Sequence, residues 1–126
     1  MFGLVKIQNA KMNVTEPEYL PATASETFNE GEALVLVGGK LTKASGTTKP
    51  EFISAKTVTA KEGEILPVSR LEPAQVWEAA IPEGVTASVG DKVTLATDGL
   101  GIADVSDSGV ATVVAVAKDV VHVMFR

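Results

Sequence analysis

The chain has 126 residues, 45% of them hydrophobic but only 5% aromatic, and a formal net charge of −5. That length suits one domain around a single core, and the acidic balance argues against binding a phosphate backbone, which needs clustered Lys and Arg. With no cysteine in the sequence, disulfides, thiolate chemistry and cysteine-based zinc sites are excluded as well.

No stretch approaches the roughly 20 apolar residues that a membrane helix requires. The opening MFGLVKIQNAKMNV lacks the basic leader, long apolar run and small-residue cleavage site of a signal peptide. An intracellular product with no membrane partner is therefore expected. Few aromatics leave Val, Leu, Ile and Ala to build the core, which favours many thin strands.

In chain order, residues 1–27 read as an extended arm or linker and residues 28–126 as a β-rich body. Phe2, Leu4, Val5 and Ile7 form an apolar patch. The run NVTEPEYLPATASE follows, where prolines remove backbone donors and push the preceding residues toward extended conformations. Two readings of Phe2 to Ile7 stay open: an edge strand of the body, or an arm that adds a strand to another chain's sheet.

In GEALVLVGGKLTKA, Gly31 to Ala44, Leu34, Leu36 and Leu41 can face one way while Val35, Val37 and Lys40 face the other. Gly38-Gly39 can take the positive φ of a tight turn, so the stretch predicts a β-hairpin. The apolar C-terminal run Val110 to Phe125 is its expected mate. Ser45 to Pro50 is a loop by composition, and EFISAKTVTA, Glu51 to Ala60, alternates as one strand with a poorly defined inside. A turn at Lys61 to Glu64 precedes a strand over Ile65 to Arg70, where Pro67 implies an edge position or a bulge.

Residues 71–81, LEPAQVWEAAI, are ambiguous. Pro73 could open a short helix, but seven residues is short for one, and Gln75 to Ile81 alternates well enough for the strand expected in a β series. Lys92 to Thr97, a turn at Asp98-Gly99 and Leu100 to Ser106 predict a second hairpin. Val110 to Ala117 and Val120 to Phe125 predict a third across Lys118-Asp119, with at least one strand apolar on both sides and central. Turn signals recurring every 8 to 12 residues or so give the fold class: all-β, mainly antiparallel, a small single-domain sandwich or barrel.

Motifs with a chemical flavour fail on inspection. Gly38-Gly39-Lys40-Leu41-Thr42 lacks the first glycine of a phosphate loop, where Leu34 stands, and the hydroxyl residue after its lysine. His122, the single histidine, has only Val120, Val121, Val123 and Met124 around it in sequence, so no base partner or metal set is indicated. Asp98, Asp104, Asp107 and Asp119 lie on separate turns and read as turn formers, not calcium ligands. Glu16, Glu18, Glu26, Glu30 and Glu32 show no opposed carboxylate pair fixed in sequence. Ala10-Lys11-Met12 has the lysine-methionine of a biotin-carrier tip without the hairpin that tip needs. Trp77, the single tryptophan, reads as a core or rim anchor, or as an interface anchor. No enzyme, cofactor or metal is expected.

The glycine-punctuated series GEALVLVGGKLTKASGTTKPEFIS, GEILPVSRLEPAQVWEAAI and VGDKVTLATDGLGIADVSDSGVATVVAV, with its closing strand, resembles the small capsid (head) decoration proteins of tailed bacteriophages. The resemblance covers roughly Phe28 to Arg126 and is set by Gly31, Gly39, Gly63, Gly90, Gly99 and Gly109. It implies a compact β body on the exterior of the expanded capsid of a virion, made in the host cytoplasm. Its partner would be the major capsid protein, and its usual state a homotrimer. The resemblance also implies a flexible N-terminal segment that augments a capsid strand, a role for Phe2, Leu4, Val5 and Ile7. A carbohydrate- or host-binding β module of a phage fibre or tail is the alternative from another class, and a small hydrolase or carrier domain the enzymatic one.

Overall fold

A computed structural model describes residues 1–7 and 17–126. Thirteen strands are present among these: β1 (Gly3–Ile7), β2 (Glu18–Pro21), β3 (Thr27–Phe28), β4 (Ala33–Val37), β5 (Lys40–Lys43), β6 (Phe52–Ser54), β7 (Val58–Thr59), β8 (Ile65–Arg70), β9 (Gln75–Ala80), β10 (Lys92–Leu95), β11 (Ile102–Val105), β12 (Ala111–Val116) and β13 (Val120–Met124). No helix occurs among the described residues. Every strand pairing is antiparallel. One sheet has six strands in the order β1-β9-β13-β12-β10-β11, a second has five in the order β2-β8-β6-β4-β5, and β3 pairs with β7 as a short ribbon.

The five-stranded sheet curls until its two edges meet. Ala22, just past β2, forms a parallel bridge with Leu41 of β5. The Thr23 backbone N–H and hydroxyl both donate to the Leu41 carbonyl, at 3.1 and 2.8 Å. The edges are joined at this one point, which covers part of the otherwise unpaired edge of β5. The interior is apolar: Leu34, Leu41, Phe52, Leu66 and Val68 are fully buried there, and the β3-β7 ribbon adds Phe28.

A second core lies between this curled sheet and the six-stranded one. Trp77, Ala79, Val93, Leu95, Val113, Val121 and Val123 face Ala33, Ala44 and Ile53 across it. The period-2 alternation of strands explains how one ribbon serves both cores. Leu34 and Leu36 of β4 join the curled interior, while Ala33 and Val35 join the inter-sheet layer.

The β4-β5 hairpin is present as expected, with Val37 opposite Lys40. Gly38 and Gly39 take φ of +59° and +80°, the pair of left-handed conformations that a two-residue turn matched to strand twist requires. Gly39→Val should therefore lower the chemical-denaturation midpoint, by about 1–2 kcal/mol in stability, through backbone strain alone. The strand over Gln75–Ala80, the Asp98-Gly99 hairpin and the β12-β13 hairpin are also present. Both β12 and β13 are central in their sheet.

Four expectations need correction. The mates of the Gly38-Gly39 hairpin are β6 and, through the bridge, β2; Val110 to Phe125 lies in the other sheet. Glu51 to Ala60 is not one strand: it splits into β6 and β7, in different sheets. Between them the Ser54 hydroxyl donates to the Lys56 carbonyl at 2.8 Å, bending the chain where a straight strand would continue. Pro67 does not mark an edge, because β8 lies between β2 and β6. Its missing N–H falls where the β6 ladder ends: β6 stops at Ser54, opposite Val68, and beyond it the Pro67 carbonyl accepts from the Ala55 N–H at 3.0 Å.

The fourth concerns the N-terminus. The described residues of the expected arm do not lie apart from the body: β1 is an edge strand paired with β9, and β2 is paired along its whole length with β8. The edge-strand alternative therefore describes Gly3–Ile7. Burial of Phe2, discussed below, is the physical reason.

Candidate functional site

Of the residues singled out for partner binding, Phe2, Leu4, Val5 and Ile7 all fall on or beside β1. Phe2 is 2% exposed and meets Phe125 edge to face, with ring centroids 5.3 Å apart. Its N–H donates to the Gly31 carbonyl at 3.1 Å, which ties the start of the chain to the turn before β4. Leu4 stands opposite Trp77, and Ile7 opposite Gln75. The register slips between Leu4 and Lys6, a bulge that puts Val5 out of the regular alternation.

The result is a mixed edge. Phe2 anchors the strand, while Met1, Leu4 and Val5 stay 63%, 41% and 42% exposed. Beside them a shallow groove of about 270 Å3 runs between β1 and the curled sheet, with Ile53, Ser54, Ser69 and Trp77 among its walls. The side of β1 that no described strand pairs and these three apolar side chains make a contact-ready surface near the sequence-selected residues.

Trp77 occupies the core. It is 4% exposed, packed with Phe2 and the valines of β13, so its ring offers no platform at the surface. Its indole N–H has no hydrogen-bond partner among the described residues.

His122 has a partner that sequence spacing could not reveal. Its Nε2 lies 3.1 Å from Oε2 of Glu78, the residue directly opposite it on β9. Both are on the outer face, with side chains 29% and 50% exposed, and the pair is an ordinary cross-strand contact. The only available signal was the strand assignment at 75–81, which left its register unspecified.

The acidic residues disperse into separate structural tasks. Glu18 and Arg70 form a two-pronged ion pair at 2.7 and 2.8 Å. The hydrogen bonds from Arg70 hold the Glu18 carboxyl below the usual carboxylate range. Arg70 also lies 4.8 Å from the centre of the Phe52 ring. The Glu26 carboxylate accepts from the Thr42 hydroxyl at 2.8 Å and the Lys43 N–H at 2.9 Å. Asp98 Oδ1 accepts from the Leu100 N–H at 2.9 Å, the turn-forming contact expected of it.

Glu32 differs from these, being fully buried; the sequence grouped it with Glu16, Glu18, Glu26 and Glu30 as acids without an opposed pair and carried no sign of its burial. Among the described residues no group of three or more His, Asp or Glu side chains is placed to hold a metal ion. Ala10-Lys11-Met12 and Glu16 lie outside the described residues.

These features define an all-β, single-domain protein of packed antiparallel sheets whose sequence-selected residues form a partly anchored apolar edge. No protein-family model matches the chain, and no curated protein matches it.

Proposed function

We propose that the protein is a structural head-decoration protein of the tailed-bacteriophage type, binding the exterior of the expanded capsid and stabilising contacts between major capsid subunits. The observation that carries this reading is the exposed apolar edge of Met1, Leu4 and Val5 on a strand that, among the described residues, pairs with β9 alone. An open strand edge can take up a partner's strand through main-chain hydrogen bonds, with the projecting side chains setting register. The glycine-punctuated strand series supports the same family.

Under this reading the protein works as a trimer, and many copies each contribute a few kcal/mol that sum through multivalency. Phe2 then serves as the anchor of the contact strand instead of reaching into a neighbour. The fibre or tail carbohydrate-binding alternative loses the platform placed at Trp77, which is buried; the exposed aromatic ring among the described residues is Tyr19.

Incubated with expanded and unexpanded capsids, the protein should co-sediment with the expanded form alone. Leu4→Glu with Val5→Glu should abolish co-sedimentation while leaving the fold intact by circular dichroism. Binding to neither capsid form would reject the proposal. So would undiminished binding by the double variant combined with a monomeric mass on the capsid.

A further inference from the structure

Glu32 precedes β4 at the place where the curled sheet meets the six-stranded one. Its side chain has no solvent exposure. Oε2 lies 3.4 Å from the Asn29 N–H, and Oε1 has no hydrogen-bond partner among the described residues. The ion-pair contact it does make is long, 4.0 Å to Lys43 Nζ, and Lys43 is itself 37% exposed.

Every neighbouring element bears on this carboxyl. From β5 comes the positive charge of Lys43. The Glu26 carboxylate, held by Thr42 and the Lys43 N–H, adds a second negative charge nearby. From β6, Ser54 donates its N–H to the Glu32 carbonyl at 2.9 Å and brings no charge. From the β10-β11 turn, Gly99 presses so close that a Cβ on it would lie 3.1 Å from Glu32 Cγ, Lys43 Cγ and the Ala44 carbonyl. Asp98 beside it turns its Oδ1 to the Leu100 N–H of its own turn. The Gly99 carbonyl accepts from the Ala33 N–H at 2.7 Å, so the residue following Glu32 holds the two sheets together.

We propose that Glu32 is a proton-operated latch on this seam: with the carboxyl neutral the Ala33–Gly99 contact is tight, and with it ionised the contact loosens. A carboxylate removed from water with one oxygen unsatisfied and a single lysine at the edge of contact range is poorly compensated. Burial accordingly pushes the Glu32 carboxyl above the usual carboxylate range, against smaller opposing contributions from Asn29 and Lys43. Because the folded state favours the proton, stability rises as pH falls through the raised folded-state value and levels off below the unfolded one. Glu18 acts in the opposite sense, since its pairing with Arg70 favours folding only while it is ionised.

The test is amide hydrogen exchange at Ala33 together with the denaturation midpoint of the full chain, between about pH 5 and about pH 8. The wild-type Ala33 protection factor, corrected for intrinsic exchange, should rise several-fold toward the acid end. In Glu32→Gln it should be high and flat. Lys43→Met keeps the carboxyl and removes its counter-charge, so it should steepen the wild-type dependence. An unchanged slope in Glu32→Gln, or in Lys43→Met, would overturn the proposal.

Discussion

Gly109→Ala is expected to unfold the protein or cost about 4 kcal/mol or more of its stability, the largest effect foreseen for any single methyl group here. Gly109 sits in the turn between β11 and β12 with an ordinary backbone conformation, so the penalty is one of space. A Cβ there would overlap the Val93 nitrogen and lie 2.7 Å from both the Lys92 carbonyl carbon and the Val93 oxygen. These are backbone atoms of β10, which is hydrogen-bonded to β11 and β12 on its two sides, so they have no room to give. Gly101→Ala supplies the control, since a Cβ at that position meets nothing within 4 Å. Thermal denaturation of the two variants side by side checks the difference.

Phe2→Ala should cost about 3–5 kcal/mol, the range for truncating a buried phenylalanine. In a domain of this size that lowers the melting temperature by roughly 12 °C or more. The residue is 2% exposed and its ring rests on Phe125, so the loss includes an aromatic contact as well as a cavity. Leu4→Ala, at a residue 41% exposed, should cost well under half as much. Scanning calorimetry on both variants separates a strand that belongs to the body from a segment that merely rests on it. Near-identical melting temperatures for Phe2→Ala and wild type would mean that β1 contributes nothing to the folded core.

Local signals in the sequence proved informative. Gly38-Gly39 and Asp98-Gly99 each specified a hairpin, because φ-permissive residues between apolar alternations leave few other conformations. The strand at 75–81 followed from its place in a β series and from a length short for a helix, with an alternation that suits a strand. Long-range pairing was not legible. Nothing near Val110 to Phe125 indicates that β13 lies between β9 and β12, or that Leu41 would be bridged by Ala22.

The same limit governed the site. Leu4 and Val5 were found as part of an apolar patch, but the difference between them and Phe2 depends on Phe125, at the opposite end of the sequence. Glu78 as the partner of His122 depends on register, and the burial of Glu32 depends on Gly99 closing over it. In each case residues far apart in sequence set the environment, and no local pattern encodes that distance. Glu51 to Ala60 failed for the opposite reason. Its alternation was regular, but the chain leaves the strand between β6 and β7, where the Ser54 hydroxyl donates to the Lys56 carbonyl.

The placement of β13 bears on how the molecule must assemble. β9 is joined to β1, some 70 positions earlier, and to β13, some 40 later, so the six-stranded layer holds two half-sheets apart until its middle piece arrives. A ribosome-bound chain lacking that piece would show the apolar flanks of β9 and β12 to every neighbour. Folding dominated by such distant pairings is slow, on the millisecond-to-second scale, and early intermediates of this kind are the ones that aggregate. Expression at reduced temperature, or with the C-terminal segment supplied in trans, is the practical route past that vulnerable interval.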